Sequence, residues 1–296
     1  MVVNKDERGA GNRAGPESAM RNFQRRVLSA LVLAPLAIVA AYLGGGLFVA
    51  LCALAATAVL WEWSTVVARG AEPRILAPGL VALALAAILV TMQHAYPAMA
   101  VVAIGAVVAA ALIAAWPPAV GTRTAPAWGA GGVVYAGIVL VCPALLRNDP
   151  EYGLQALLFL FATVWATDIF AYLTGRTLGG PLLWPKLSPN KTWSGALGGL
   201  VGGVAAGVAV AYASGGTRGV VAGVLALVLS IVAQGGDLFE SAIKRRFGVK
   251  DTSHLIPGHG GVMDRLDGFL VAALAAVLIG ILRQGVAAPA RGLLAW

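Results

Sequence analysis

From Val27 onward, apolar residues come in unbroken runs instead of alternating or recurring on one helical face. The runs are Val27–Leu43, Leu47–Trp63, Ile75–Met92, Pro97–Trp116, Gly129–Leu146, Leu154–Leu173, Gly195–Ala213, Val220–Phe239 and Val262–Leu282. At about 17 to 21 residues each, they are long enough for a helix to cross a bilayer core of roughly 30 Å. Lipid offers no hydrogen-bond partner to the backbone, so a helix is the form such runs take. Pro and Gly mark the joints, as at Pro117-Pro118 and Gly215-Gly216, while small residues such as GALGGLVGGVAAG from Gly195 allow helices to approach closely. The pattern predicts an all-α, polytopic integral membrane protein of about nine transmembrane helices.

Composition agrees and removes the soluble alternatives. The chain has 296 residues, of which 59% are hydrophobic and 11% charged, with a mean hydropathy of +0.83. No soluble second domain is visible. The expected organisation is a polar, basic, disordered tail over 1–24, a membrane domain over 25–283 and a short C-terminal tail over 284–296. A cleaved signal peptide is the competing reading of the start, but Val27–Leu43 is long for one and lacks a clear cleavage site. Cys52 and Cys142 stand singly inside apolar runs and read as packing residues.

The net charge of +8 belongs to membrane orientation, not to nucleic acid, because the basic residues lie between the runs. With the N-terminus in the cytoplasm, alternation leaves only Arg147, Arg218, Arg283 and Arg291 on the far side, and the rest of the 21 Lys and Arg fall on the cytoplasmic side. That bias predicts a multi-pass protein of the cell's inner membrane with its N-terminus and its polar motifs at the cytoplasmic face.

Carboxylates within or beside apolar helices are costly and therefore pair, line a wet cavity or bind ions. In QGGDLFESAIKRR, Asp237, Glu240, Ser241 and Lys244 fall at i, i+3, i+4 and i+7 on one helical face. The turn-rich FGVKDTSHLIPGHGG follows, offering Lys250 and His259 as donors, and the chain re-enters the membrane through VMDRLDG, with Asp264, Arg265 and Asp267 on its first turns. Carboxylates facing a cationic loop suit a polyphosphate: the acids hold a divalent cation, and the bases and a Gly-rich helix start neutralise the remaining charge. Oxygen-only ligands favour Mg²⁺ over zinc. Spacing alone also allows salt-bridged helix ends that merely anchor the fold.

A second polar stretch, WATDIFAYLTGRTLGGPLLWPKLSPNKTWSGALGG, carries Asp168 and Tyr172 at i, i+4, followed by Arg176, Lys186, Ser188, Asn190, Lys191 and Thr192 in a loop. It reads equally as a phosphate-holding loop or as a loop made basic by orientation alone. Glu62, between Trp61 and Trp63, reads as an anchor or helix-pairing residue. His94 and His254 read as loop residues.

Taken together, Ser241-Ala-Ile-Lys244-Arg245, Lys250-Asp251, Ile256-Pro257-Gly258-His259-Gly260-Gly261 and Asp264-Arg265-Leu266-Asp267 resemble the phosphatidate cytidylyltransferase signature over its whole length. The segment SPNKTWSGALGG is similar to that family's Ser-Pro-x-Lys-Thr segment, and the likeness spans Arg21 to Leu282. One departure is Ser194, where many members carry a glutamate. The resemblance implies that Asp237 and Asp264 coordinate a catalytic metal centre of Mg²⁺ and a second cation, with Asp267 and Asp168 in the same cavity. It further implies phosphate contacts from Lys191, Lys244, Arg245, Lys250, His259 and Arg265. Ser188, Thr192, Ser241, Asp251, Gly260 and Gly261 complete the expected substrate-binding set.

The implied reaction is attack by a phosphatidate oxygen on the α-phosphorus of CTP, giving CDP-diacylglycerol and pyrophosphate. Expected partners are CTP, phosphatidic acid and membrane lipids, without nucleic acid, and a homodimer is compatible with the chain. The rivals are a CTP-dependent polyprenol kinase, which would release CDP, and an ion-coupled transporter. A CDP-alcohol phosphatidyltransferase would share Asp264, Asp267 and Gly268 but needs later spaced aspartates that this sequence lacks. A transporter predicts matched broken helices in internal repeats, and no convincing repeat is found.

Overall fold

A computed structural model describes residues 31–116, 125–215, 219–253, 255–256 and 260–296. The expected tail over 1–24, the beginning of the first run, His254 and His259 lie outside the described residues. Among the described residues, the apolar helix α1 (Leu31–Leu43) is followed by eight helices of membrane-crossing length. These are α2 (Gly45–Ala68), α3 (Pro73–Thr91), α4 (Ala95–Ala115), α5 (Pro126–Arg147), α6 (Gly153–Leu178), α7 (Trp193–Ala213), α8 (Gly219–Phe247) and α9 (Met263–Gln284). The all-α polytopic architecture is therefore present, and Cys52 and Cys142 are both buried, free packing residues.

Two features depart from the simplest reading of the sequence. The stretch between α6 and α7 contains an antiparallel hairpin of β1 (Leu182–Trp184) and β2 (Ser188–Thr192), with Leu182 opposite Thr192 and Trp184 opposite Ser188. The C-terminal tail contains a short helix, α10 (Pro289–Leu294), seated on α9 with Pro289, Ala290, Leu293 and Leu294 buried. Gly280 and Gly292 make that seat possible: a Cβ on Gly292 would stand 2.1 Å from the carbonyl oxygen of Gly280.

Helix ends are closed by local chemistry. The Glu72 carboxylate accepts from the Arg74 N–H at the start of α3, beside Pro73 at its first position, and the Thr192 hydroxyl accepts from the Gly195 N–H at the start of α7. The end of α1 is held from afar, with Arg147 donating to the carbonyls of Ala41 and Tyr42. Helix α5 is the most buried span and packs against α2, α3, α4 and α9.

Glycine decides how the site-bearing helices meet. Along α7, Gly199 and Gly203 lie against α6, where added Cβ atoms would stand 2.9 Å from the Thr167 carbonyl and 2.3 Å from its hydroxyl. Between α8 and α9, a Cβ on Gly236 would stand 2.6 Å from the Asp267 carbonyl, and one on Gly268 would stand 2.7 Å from Asp237 Oδ1. Both helix pairs are thus spaced by backbone contact, as small residues allow in membranes.

Candidate active site

The hairpin, the C-terminal part of α6, the first turn of α7, α8 and the start of α9 enclose a cavity of about 640 Å³. Its wall carries Asp168, Tyr172 and Arg176 from α6, Ser188, Lys191 and Thr192 from the hairpin, Gln234 and Asp237 from α8, and Asp264, Arg265 and Asp267 from α9. Four carboxylates and three cationic side chains therefore share one polar chamber. Both polar stretches singled out in the sequence meet there.

Local structure explains each position. The pairing of β2 with β1 and its turn into α7 bring Lys191 across to α8, where its ammonium lies 3.0 Å from Asp237 Oδ2. Thr192 lines the chamber while capping α7, and its hydroxyl lies 3.0 Å from that of Ser194. Ser194 also donates to the Gly179 carbonyl. At this position a hydroxyl ties the hairpin to the end of α6. On α6, one turn separates Tyr172 from Arg176, whose guanidinium donates to the phenol oxygen at 2.6 Å.

The i, i+4 spacing on α8 puts Glu240 2.7 Å from Lys244, and Lys244 reaches α9 to meet Asp264 Oδ1 at 2.8 Å. Asp264 Oδ2 accepts from the Thr252 N–H, the Thr252 hydroxyl and the Gly261 N–H at 2.8 to 3.0 Å. The carboxylate thereby fixes the loop leading into its own helix. Asp267 Oδ1 accepts from the Gly268 N–H at 2.9 Å.

Other residues expected from the sequence lie outside the chamber wall. Arg245, Lys250 and Asp251 are exposed, and Ser241 is half-buried on α8. Gly260 and Gly261 form the inner side of the loop behind Asp264, where a Cβ on Gly260 would stand 2.7 Å from Asp264 Oδ2. Sequence reasoning passed over Thr252, Ser253 and Gln234, none of which carries a charge.

Among the described residues, no three His, Cys, Asp or Glu side chains already converge to hold a metal ion. That arrangement still fits magnesium, which is commonly held by one or two carboxylates together with substrate phosphates and water instead of an all-protein cage. The donors lining the chamber are hard carboxylate oxygens from Asp168, Asp237, Asp264 and Asp267.

A bundle of membrane-crossing helices with an acid-and-base chamber at one end of α6, α8 and α9 defines an integral membrane protein with a charged site. Comparison with known proteins narrows the class. Residues 24–282 match the model described as the cytidylyltransferase family, and the chain belongs to that family. It is 41% identical over 264 residues to the phosphatidate cytidylyltransferase of Brucella abortus biovar 1 (strain 9-941), covering 88% of this chain and 94% of that protein. The phosphatidate cytidylyltransferase of Bacillus subtilis (strain 168) is 34% identical over 138 residues, 46% of this chain and 51% of the relative. That of Haemophilus influenzae is 37% identical over 142 residues, 46% and 49% of the two chains.

Proposed function

We infer that this protein transfers the cytidylyl group of CTP to phosphatidic acid, producing CDP-diacylglycerol and pyrophosphate. The observation that carries this reading is the single chamber in which Lys191, Arg176 and Arg265 face Asp168, Asp237, Asp264 and Asp267. A phosphatidate oxygen forms a bond to the α-phosphorus of CTP while the bond from that phosphorus to the β-phosphate bridging oxygen breaks. The electron pair leaves with pyrophosphate. The phosphatidate nucleophile is already anionic, so the main barrier is repulsion between two polyanions.

Lys191, Arg176 and Arg265 supply positive charge against the phosphates and the departing pyrophosphate, in a site with its dipoles already in place. Asp237 and Asp264 are the residues assigned to hold magnesium, with Asp168 and Asp267 beside them. A cation held there would supply Lewis-acid stabilisation of the charge that develops on the leaving group. Lys244, tied to Glu240 and Asp264, keeps the Asp264 carboxylate turned toward α8.

The chamber is assigned to the cytoplasmic face of the inner membrane. Supporting this, the basic joints Arg69–Arg74 and Lys186–Lys191 and the end of α8 all fall at its end of the bundle, whereas Arg147, Arg283 and Arg291 fall at the other. CTP then enters from the cytosol and the lipid laterally.

The test is purified protein with CTP, phosphatidate and magnesium, scored for both products. CDP-diacylglycerol with pyrophosphate is expected, whereas release of CDP would instead mark a kinase. Asp237→Asn and Asp264→Asn are expected to abolish pyrophosphate release while remaining folded in membranes. Near-normal turnover in both would overturn the metal assignment.

A further inference from the structure

Glu62 is a buried acid that the reaction above does not use. It lies on α2, fully shielded from solvent, and does not line the chamber. Its carboxylate nevertheless accepts four hydrogen bonds from the far end of the chain. Oε1 accepts from the Ser253 hydroxyl at 2.6 Å and the Val262 N–H at 2.8 Å. Oε2 accepts from the Met263 N–H at 2.7 Å and the Thr252 hydroxyl at 3.3 Å. The N–H groups of Val262 and Met263 belong to the open start of α9, where donors lack partners within the helix and a negative charge is favoured.

Thr252 joins this carboxylate to the chamber. Its hydroxyl lies 3.3 Å from Glu62 Oε2 and 2.9 Å from Asp264 Oδ2, so one hydroxyl stands between two acids. The Thr252 and Gly261 N–H groups hold the same oxygen of Asp264. The entry to α9 therefore hangs between two carboxylates, Glu62 behind it and Asp264 facing the cavity. Gly261 lies between them: a Cβ there would stand 2.2 Å from the Thr252 hydroxyl and 2.5 Å from Glu62 Oε1. No side chain fits.

We propose that Glu62 is a positioning residue for cytidylyl transfer, clamping Thr252, Ser253 and the Gly261–Met263 turn so that Asp264, Arg265 and Asp267 face the chamber. The proposal rests on the function inferred above, and it extends that site to a helix that contributes nothing to its wall. The acid is used because it accepts from two hydroxyls and two backbone N–H groups at once. A glutamine of the same size turns an N–H₂ toward some of those donors and breaks part of the clamp.

Glu62→Gln is expected to lower kcat by about 10²-fold, the scale of a small misplacement of reacting groups, while the KM for CTP changes little. Amide exchange at Gly261–Asp264 should accelerate, with protection in α5 and α6 retained. Ser253→Ala removes one of the four bonds without altering α2, so it carries the test if Glu62→Gln does not fold. It should give a smaller loss of kcat, and its effect should shrink in the Glu62→Gln background because the two residues act as one unit. Unchanged kcat, unchanged local exchange or full additivity would overturn the proposal. The exchange measurement needs no substrate, so a wild-type protein that made no CDP-diacylglycerol would overturn the function while leaving the clamp separately tested.

Discussion

Adding one methyl group at Gly268 tests whether the α8–α9 contact sets the geometry of the chamber. An alanine Cβ there would stand 2.7 Å from Asp237 Oδ1 and 3.0 Å from the Ala233 carbonyl oxygen, whereas ordinary contact begins at 3.4 Å. Relief requires about 0.7 Å at the carboxylate, taken either by rotating Asp237 or by separating the helices. The Ala233 oxygen is backbone and moves only with α8, so rotation alone does not suffice. Either route displaces Asp237, whose other carboxylate oxygen meets Lys191 at 3.0 Å. Overpacking of this kind costs about 1–3 kcal/mol, offset by up to about 1 kcal/mol from the better helix propensity of alanine. The variant should therefore remain folded in the membrane. Because a misplacement of about 1 Å can cost 10²-fold in rate, Gly268→Ala is expected to reduce CDP-diacylglycerol formation by about 10- to 10²-fold. The matched control is Gly235→Ala, on the same helix pair, where a Cβ meets nothing within 4 Å; it should retain full turnover. Turnover by Gly268→Ala equal to that of Gly235→Ala would refute the reasoning.

Lys191→Met should lower kcat by about 10²–10³-fold, the usual effect of removing one preorganised donor from developing charge, with Lys191→Arg recovering part of the loss in the same pyrophosphate assay. Thr167→Val removes a buried bond of 2.7 Å to the Ser230 hydroxyl. It should cost about 0.6 kcal/mol and at most about 1.7, read as lower thermal stability in detergent with unchanged kcat. Gly292→Ala should unseat α10 from α9 at a cost of about 1–3 kcal/mol, measurable by thermal unfolding. Arg291→Ala breaks an exposed pair with Glu151 and should leave stability and turnover unchanged.

The membrane helices were legible because apolar runs of bilayer length have few other uses, and both polar segments were legible because charge beside such runs demands a partner. Pairings within one helix followed from spacing: Glu240 and Lys244 meet as i, i+4 neighbours. Pairings across the chain did not follow. Glu62 stood out as an acid inside an apolar run, yet its donors lie 190 to 201 positions away, beyond the reach of any periodicity. The hairpin was hidden for a different reason. Ser188-Pro189-Asn190-Lys191-Thr192 combines a proline with polar residues and shows no alternation, so its strand form depends on tertiary context. Arg245, Lys250 and Asp251 share the signature's spacing but lie outside the chamber wall, since proximity in sequence does not fix which face of α8 or of the loop a residue occupies.

The backbone contacts that space α6 from α7 and α8 from α9 also bear on how the site could escape a tightly fitting inhibitor. Resistance commonly arises when a wall side chain shrinks or swells and the pocket changes shape. Here the distance between walls is set where Gly199, Gly203, Gly236 and Gly268 meet main chain or short side chains, and a larger residue at any of them first disturbs helix packing. The charged groups of the wall are assigned to the phosphates and to the magnesium site. A ligand matched to the width of the chamber would leave few substitutions that weaken its binding and spare the enzyme.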